Sequence, residues 1–196
     1  MSKAAGKLKT LKKTADKITH TTKLRTNIPA GMAAAGPPLG PMLGQRAINI
    51  AAFCKDFNTK TSEMKEGVPL PCRITMNSDR SYNLVIHHPP ATFLLKQAAG
   101  IQRGTMTPGH EVAGMITLKH LYEIAAIKIQ DPPNVMLTMK QMCEMLIGIA
   151  RTCGIKIVRD LDPTEYAKFL EERKVIVEDQ RRELQEKREA KMLRTG

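Results

Sequence analysis

Tryptophan is absent from the 196 residues, and only three tyrosines and four phenylalanines are present. Rings for stacking single-stranded bases are therefore scarce, and any core must be small and mainly aliphatic. No apolar run approaches the roughly 18 residues that a membrane helix needs. The four cysteines, Cys54, Cys72, Cys143 and Cys153, show no CxxC spacing, and no secretory signal accompanies them. Neither a disulfide framework nor a zinc site is expected. Cys143 and Cys153 fall in an apolar periodic segment and read as small core residues. The glycine-rich runs lack GK[ST], and a G-x-G-x-x-G fingerprint is absent too. No Ser-His-Asp or Cys-His elbow and no acidic cluster is found. No catalytic residue, metal or cofactor is expected, and His87-His88 beside two prolines reads as loop.

What is present is positive charge, unevenly placed. The formal net charge is +12. Residues 1–25 hold seven Lys and one Arg against Asp16 alone, whereas residues 161–196 carry nine basic and nine acidic side chains. The intervening 26–160 has fourteen basic and nine acidic residues. A polyanion is the natural partner, with RNA or DNA ahead of an anionic membrane. In the arm, Leu8, Leu11, Ala15 and Ile18 recur at helical spacing. That suits an organelle transit segment and equally a basic arm that binds nucleic acid.

The most unusual stretch is Ile28 to Gly44, uncharged and holding Pro37, Pro38 and Pro41 among four glycines. At Pro37, Pro38 and Pro41 alone, three missing donors and three fixed φ angles rule out an ordinary helix or central strand. It reads as a stiff apolar loop, either a structural turn or a docking surface. Gln45 to Thr59 follows as a helix with an apolar face of Ile48, Ala51, Ala52 and Cys54 to Phe57. Cys72–Met76 and Tyr82–Ile86 read as a hairpin. Pro89-Pro90 reads as a stiff hinge, placing a boundary between a small α+β domain at 26–88 and a mainly helical domain at 89–160. In the second domain Ala91–Ala99 is a short helix ended by Gly100, and Gly100 to Gly114 is a glycine-rich loop. Thr117 caps a helix that Asp131-Pro132-Pro133 ends, and Thr138 with Gln141 forms a capping box. The helix after it buries a stripe of Met142, Met145, Leu146, Ile149, Ala150 and Cys153. Gly154 stops it, and Ile155–Val158 is a strand. Asp162-Pro163 opens a last helix, an extension over 161–196 that is charged all round beyond Gln180.

On the polar face of the helix ending at Cys153, Gly148 sits in the interior at a cost of about 1 kcal/mol relative to Ala. Close approach by another backbone accounts for it. With Arg151 and Thr152 one turn on, that backbone fits a sugar-phosphate chain; a glycine tolerated by chance, or one needed to pack against the Gly100–Gly114 loop, is the alternative, and on this helix alone the stronger one. Arg103, Thr105 and Thr107 add donors for phosphate and 2′-hydroxyl groups. Together they favour RNA recognised by shape.

The run AGMAAAGPPLGPMLGQ followed by NIAAFCKDFN resembles the N-terminal signature of the ribosomal protein L-eleven family of the large subunit. PLPCRITMNSDRSY, PPATFLLKQAAGI, YEIA and GIARTCGI match in family order, across about residues 26–160. The Pro/Gly run is of the bacterial type. The basic arm and charged C-terminal helix resemble mitochondrial members, which implies a large ribosomal subunit in the mitochondrial matrix. The resemblance implies a non-enzymatic protein whose C-terminal domain binds rRNA at the GTPase-associated centre. Gly100, Arg103, Gly104, Thr105 and Thr107 would do so with Gly148, Arg151, Thr152 and Gly154. It implies that the N-terminal domain swings about Pro89 and Pro90, that Pro37, Pro38 and Pro41 face the rRNA cleft, and that translational GTPases and stalk-base proteins are partners. The chain departs from the family at Ala34-Ala35, where Asn-Pro is common, and at Ile149, where Thr is usual. Its loop Thr107-Pro108-Gly109-His110-Glu111 is poor in Lys. A free regulatory module outside the ribosome is the second reading, and an enzyme, against which the missing site speaks, the third.

Overall fold

The computed structural model describes residues 22–77, 79 and 81–195; the basic arm, up to residue 21, and its expected helix lie outside them. Contacts divide the chain into two compact units, one up to Ile86 and one from His87.

The first unit is a three-stranded antiparallel sheet with two helices. Its strands are β1 (Lys23–Pro29), β2 (Pro69–Met76) and β3 (Tyr82–Ile86), in that spatial order. β1 corrects the expected limit of the arm, because Lys23 to Arg25 are already sheet. The register explains why. Leu24 faces Ile74 and Ile28 faces Leu70, so period-two alternation puts all four on the buried face. The Pro/Gly run is also less irregular than expected. Its first two residues end the edge strand, and Leu39–Gly44 form a short helix, α1. Pro41 is tolerated there because first-turn N–H groups have no helical partner to lose.

Helix α2 spans Ile50–Lys60 and starts later than the periodicity suggests, because Asn49 caps it by accepting from the Ala52 N–H at 3.2 Å. Phe53 and Phe57 are fully buried, whereas Ala51 and Ala52, expected on the apolar face, are exposed. Two aromatic rings therefore anchor this core, with Tyr82 at 5.3 Å from Phe53 between ring centroids. Burying each such side chain stabilises the fold by roughly 1.5–3 kcal/mol.

The second unit contains α3 (Ala91–Ala98), β4 (Gly114–Thr117), α4 (Leu118–Ile129), a 3-10 turn at Pro132–Asn134, α5 (Met139–Cys153), β5 (Ile155–Val158) and α6 (Pro163–Thr195). Its core is aliphatic, built from Leu95, Ile116, Leu121, Ile124, Met142, Leu146 and Ile155 among others. The capping boxes of Thr117 with His120 and of Thr138 with Gln141 are both closed. Met145, expected in the buried stripe of α5, is 52% exposed. β4 pairs in parallel with β5, Gly114 opposite Ile155. The end of the glycine-rich loop is therefore a strand.

The segment entering this unit is fixed. Asp131 is buried and accepts from the His88 N–H and lies against His88 Nδ1, each at 2.8 Å. Lys128 binds the same carboxylate and also donates to the His88 carbonyl at 3.3 Å. Burial pushes the Asp131 carboxyl up, but the hydrogen bonds from Lys128 and His88 outweigh this and hold it below the usual range. Pro90 is the N-cap of α3. Pro89 and Pro90 thus stiffen the entry to α3 inside the second unit. The division of the chain falls between Ile86 and His87, so both prolines expected at the hinge belong to the second unit. Among the described residues no helix is long and apolar enough to cross a membrane.

Candidate nucleic-acid interface

The expected RNA-contacting residues do come together, but in two roles. Gly148, Arg151 and Thr152 form an exposed i, i+3, i+4 stripe on α5. A Cβ built on Gly148 meets nothing within 4 Å. Packing against the Gly100–Gly114 loop is therefore not the reason for this glycine. Thr152 turns its hydroxyl onto the Ile149 carbonyl at 2.7 Å, leaving Arg151 as the charged group of the stripe. Beside it an open groove of about 430 Å³ is lined by His110, Ile147, Arg151, Gly154 and Lys156 among its residues.

Lys156 and Ile147 were missed in the sequence. For Lys156 a signal existed: Ile155 points into the core, so alternation along β5 sends Lys156 outward. Ile147 is 44% exposed and lines the groove, on the flank of the buried stripe.

Gly104 and Gly154 have a packing role within the chain. Gly154 has φ +74° and closes α5 in the left-handed conformation. A Cβ there would also lie 2.6 Å from the Thr105 side chain, and one on Gly104 would lie 2.9 Å from the Cys153 carbonyl oxygen. Both glycines let the loop close onto the end of α5. The Thr105 N–H donates to the Cys153 carbonyl at 3.1 Å and the Ala113 N–H to the Gly154 carbonyl at 2.7 Å. Gly100 has φ +65° just past α3 and packs against Leu170 of α6.

Arg103 and Thr105, expected as donors to RNA, also make hydrogen bonds within the chain. Arg103 donates to Gln180 of α6, and its Nε is buried. Thr105 Oγ1 donates to Glu111 at 2.6 Å. Glu111 also accepts from Gln180 Nε2 at 2.9 Å and pairs with buried Arg173. The hydrogen bond from Arg173, then that from Thr105, hold the Glu111 carboxyl down at about 2 against the opposing effect of burial. Thr107 stays exposed near the loop tip, its N–H on Thr105 Oγ1 at 3.1 Å. The charged C-terminal helix is largely exposed beyond Gln180, but its first half packs on this loop.

In the first unit, Pro37, Pro38 and Pro41 are all exposed, above buried Leu39 and Leu43. The run is strapped down from α2. Asn58 accepts from the Ala33 N–H at 2.9 Å and donates back to its carbonyl at 3.2 Å, while buried Thr61 accepts from the Gly31 N–H at 3.1 Å. An apolar surface held this firmly presents the prolines at little entropic cost to a partner. Burial pushes the Cys72 thiol up to about 12, so it is a core residue and not a nucleophile. Among the described residues no group of three or more His, Cys, Asp or Glu could hold a metal ion.

Comparison with known proteins agrees with this division. Residues 24–82 match the family model of the ribosomal protein L11 N-terminal domain, and residues 87–157 that of the ribosomal protein L11 RNA binding domain. The chain is 86% identical over 196 residues to the large ribosomal subunit protein uL11m of Drosophila melanogaster, covering all of both chains. It is 51% identical to the protein of the same name from Caenorhabditis elegans, over 99% of this chain and 98% of that one. With the Schizosaccharomyces pombe protein of that name it shares 37% identity over 140 residues, 71% of this chain and 97% of the other.

Proposed function

The chain belongs to the ribosomal protein L11 family, and we propose that it is a constituent of the mitochondrial large ribosomal subunit, anchored on rRNA by its second unit. The observation that carries this reading is the open stripe of Gly148, Arg151 and Thr152 beside the groove of Arg151 and Lys156. A helix with an open glycine followed one turn on by Arg151 accepts a sugar-phosphate backbone at close range. Arg151 and Lys156 supply charge to phosphates, and the exposed backbone near Thr107 to His110 supplies shape complementarity. Scarcity of exposed rings leaves a folded RNA as the better substrate than single strands.

The first unit is the working surface. Its exposed prolines face the rRNA cleft at the GTPase-associated centre, where translational GTPases and the stalk-base proteins act against it. The Ile86–His87 junction lets this unit move while His88 stays fixed to Asp131. The protein acts by position, with no catalytic step, and it does so in the mitochondrial matrix. The basic arm supports that address and adds counterion release to RNA binding if it is retained.

Binding of the full chain to a transcript of the large-subunit GTPase-associated rRNA segment, against an equally long scrambled hairpin, tests this reading. Preference for the folded segment by at least about 100-fold is expected, given the usual gap between specific and non-specific binding. Equal affinity for both RNAs contradicts it.

A further inference from the structure

The region beyond residue 157 lies outside the family model of the RNA-binding domain, yet α6 is not a loose appendage. Tyr166 donates to the Ala99 carbonyl at 2.6 Å and accepts from the Met115 N–H at 3.1 Å, tying the start of α6 to both the end of α3 and β4. Arg173 is 5% exposed. Between them Leu170 meets the loop at Gly100. Further along, Gln180 reaches both Arg103 and Glu111.

Glu111 joins the parts. It takes Thr105 Oγ1 at 2.6 Å and the Met106 N–H at 3.3 Å from the loop, and Gln180 Nε2 at 2.9 Å together with Arg173 from α6. The loop is thus clasped on one side by the end of α5 and on the other by α6, and only its tip, Met106 to His110, is exposed throughout. A stretch with glycines at 100, 104, 109 and 114 loses much conformational freedom when it is ordered. If ordering occurred on binding, that loss would weaken affinity.

We propose that α6 is a positioning element for the RNA-binding loop, holding Gly100 to Glu111 in its RNA-competent shape before RNA arrives, with Arg173, Gln180 and Glu111 as the positioning residues. This rests on the RNA-anchoring role given above. It also accounts for a loop poor in Lys: affinity that charge does not supply is supplied by preorganisation. The cations are spent internally, since Arg103 and Arg173 hold Gln180 and Glu111.

The discriminating variants are Glu111→Gln and Gln180→Leu in the full chain, with the same rRNA transcript as probe. Simple electrostatics predicts that removing an acidic charge near the RNA surface strengthens binding. Positioning predicts the opposite, a weakening of about tenfold or more as the loop loosens. Gln180→Leu changes no charge and guards against Glu111→Gln failing to fold. It should weaken binding by about fivefold, leave the slope of log affinity against log salt unchanged because no phosphate contact is lost, and speed amide exchange over 102–111. Unchanged affinity in both variants overturns the positioning role while leaving the RNA-anchoring reading intact. Tighter binding of Glu111→Gln alone shows simple electrostatics at work, tighter binding of Gln180→Leu shows that α6 covers the loop against RNA, and a reduced salt slope shows that the substituted region contributes to phosphate contact; each result overturns positioning. A wild-type chain that does not prefer the transcript overturns both readings.

Discussion

Replacing Gly148 by Ala separates a fold requirement from a binding requirement. The added methyl enters open space, since an ideal Cβ at this position meets nothing within 4 Å. The fold therefore loses nothing, and the interior of α5 gains about 1 kcal/mol of helix propensity. For a unit of this size that raises the melting temperature by about 4 °C. An RNA backbone seated against the helix would meet the methyl directly, and overpacking of a fitted surface costs about 1–3 kcal/mol. The dissociation constant for the rRNA transcript should accordingly rise by roughly 5- to 150-fold. Thermal unfolding by circular dichroism and RNA titration on the same preparation give both numbers. Higher stability with unaltered affinity would refute close approach at Gly148. Lower stability would refute the claim that nothing of the chain's own packs there.

Arg151→Ala should weaken binding to the same RNA by about 1–3 kcal/mol and lower the salt slope, read from titrations at several salt concentrations. Because Arg173 and Thr105 hold the Glu111 carboxyl at about 2, well below its ordinary 4.5, its contribution to stability is complete above about pH 4.5 and is lost as pH falls towards about 2. The stability difference between the wild type and Glu111→Gln, from urea titrations, should stay flat down to about pH 5 and shrink below it. Pro41→Ala, at an exposed first-turn position, should leave rRNA affinity intact and change factor-stimulated GTP hydrolysis on reconstituted ribosomes; the reverse pattern would place the anchor in the first unit.

Local signals read well where one stretch of chain decides the outcome. Thr117, Thr138 and Asp162 mark helix starts because capping is a contact over three residues or fewer, and Gly154 marks a stop for the same reason. Strands β1 and β4 were illegible for a matching reason. Each owes its state to a partner about 40 or more residues away, β1 to Pro69–Met76 and β4 to Ile155–Val158, and the latter is a parallel pairing that no hairpin turn announces. Among site residues, Gly148 and Arg151 could be read from helical periodicity alone, because exposure on one face follows from burial on the other. Arg103 and Thr105 could not. Their roles depend on Gln180 and Glu111, separated from them by 77 and 6 residues, and nothing in the loop's own composition shows that its arginine faces a helix of the same chain. The anchoring of His88 was illegible for a similar reason, since the carboxylate that fixes it belongs to Asp131, 43 residues on.

The central claim is that the second unit anchors the chain on large-subunit rRNA through the exposed face of α5. Sedimentation of mitochondrial ribosomes through a high-salt gradient tests it most directly, comparing the wild-type chain with the Gly148→Ala, Arg151→Ala double variant. The wild type should migrate with the large subunit and the folded double variant should be found at the top of the gradient. Equal retention of both chains on the subunit would contradict the claim and move the anchor away from α5.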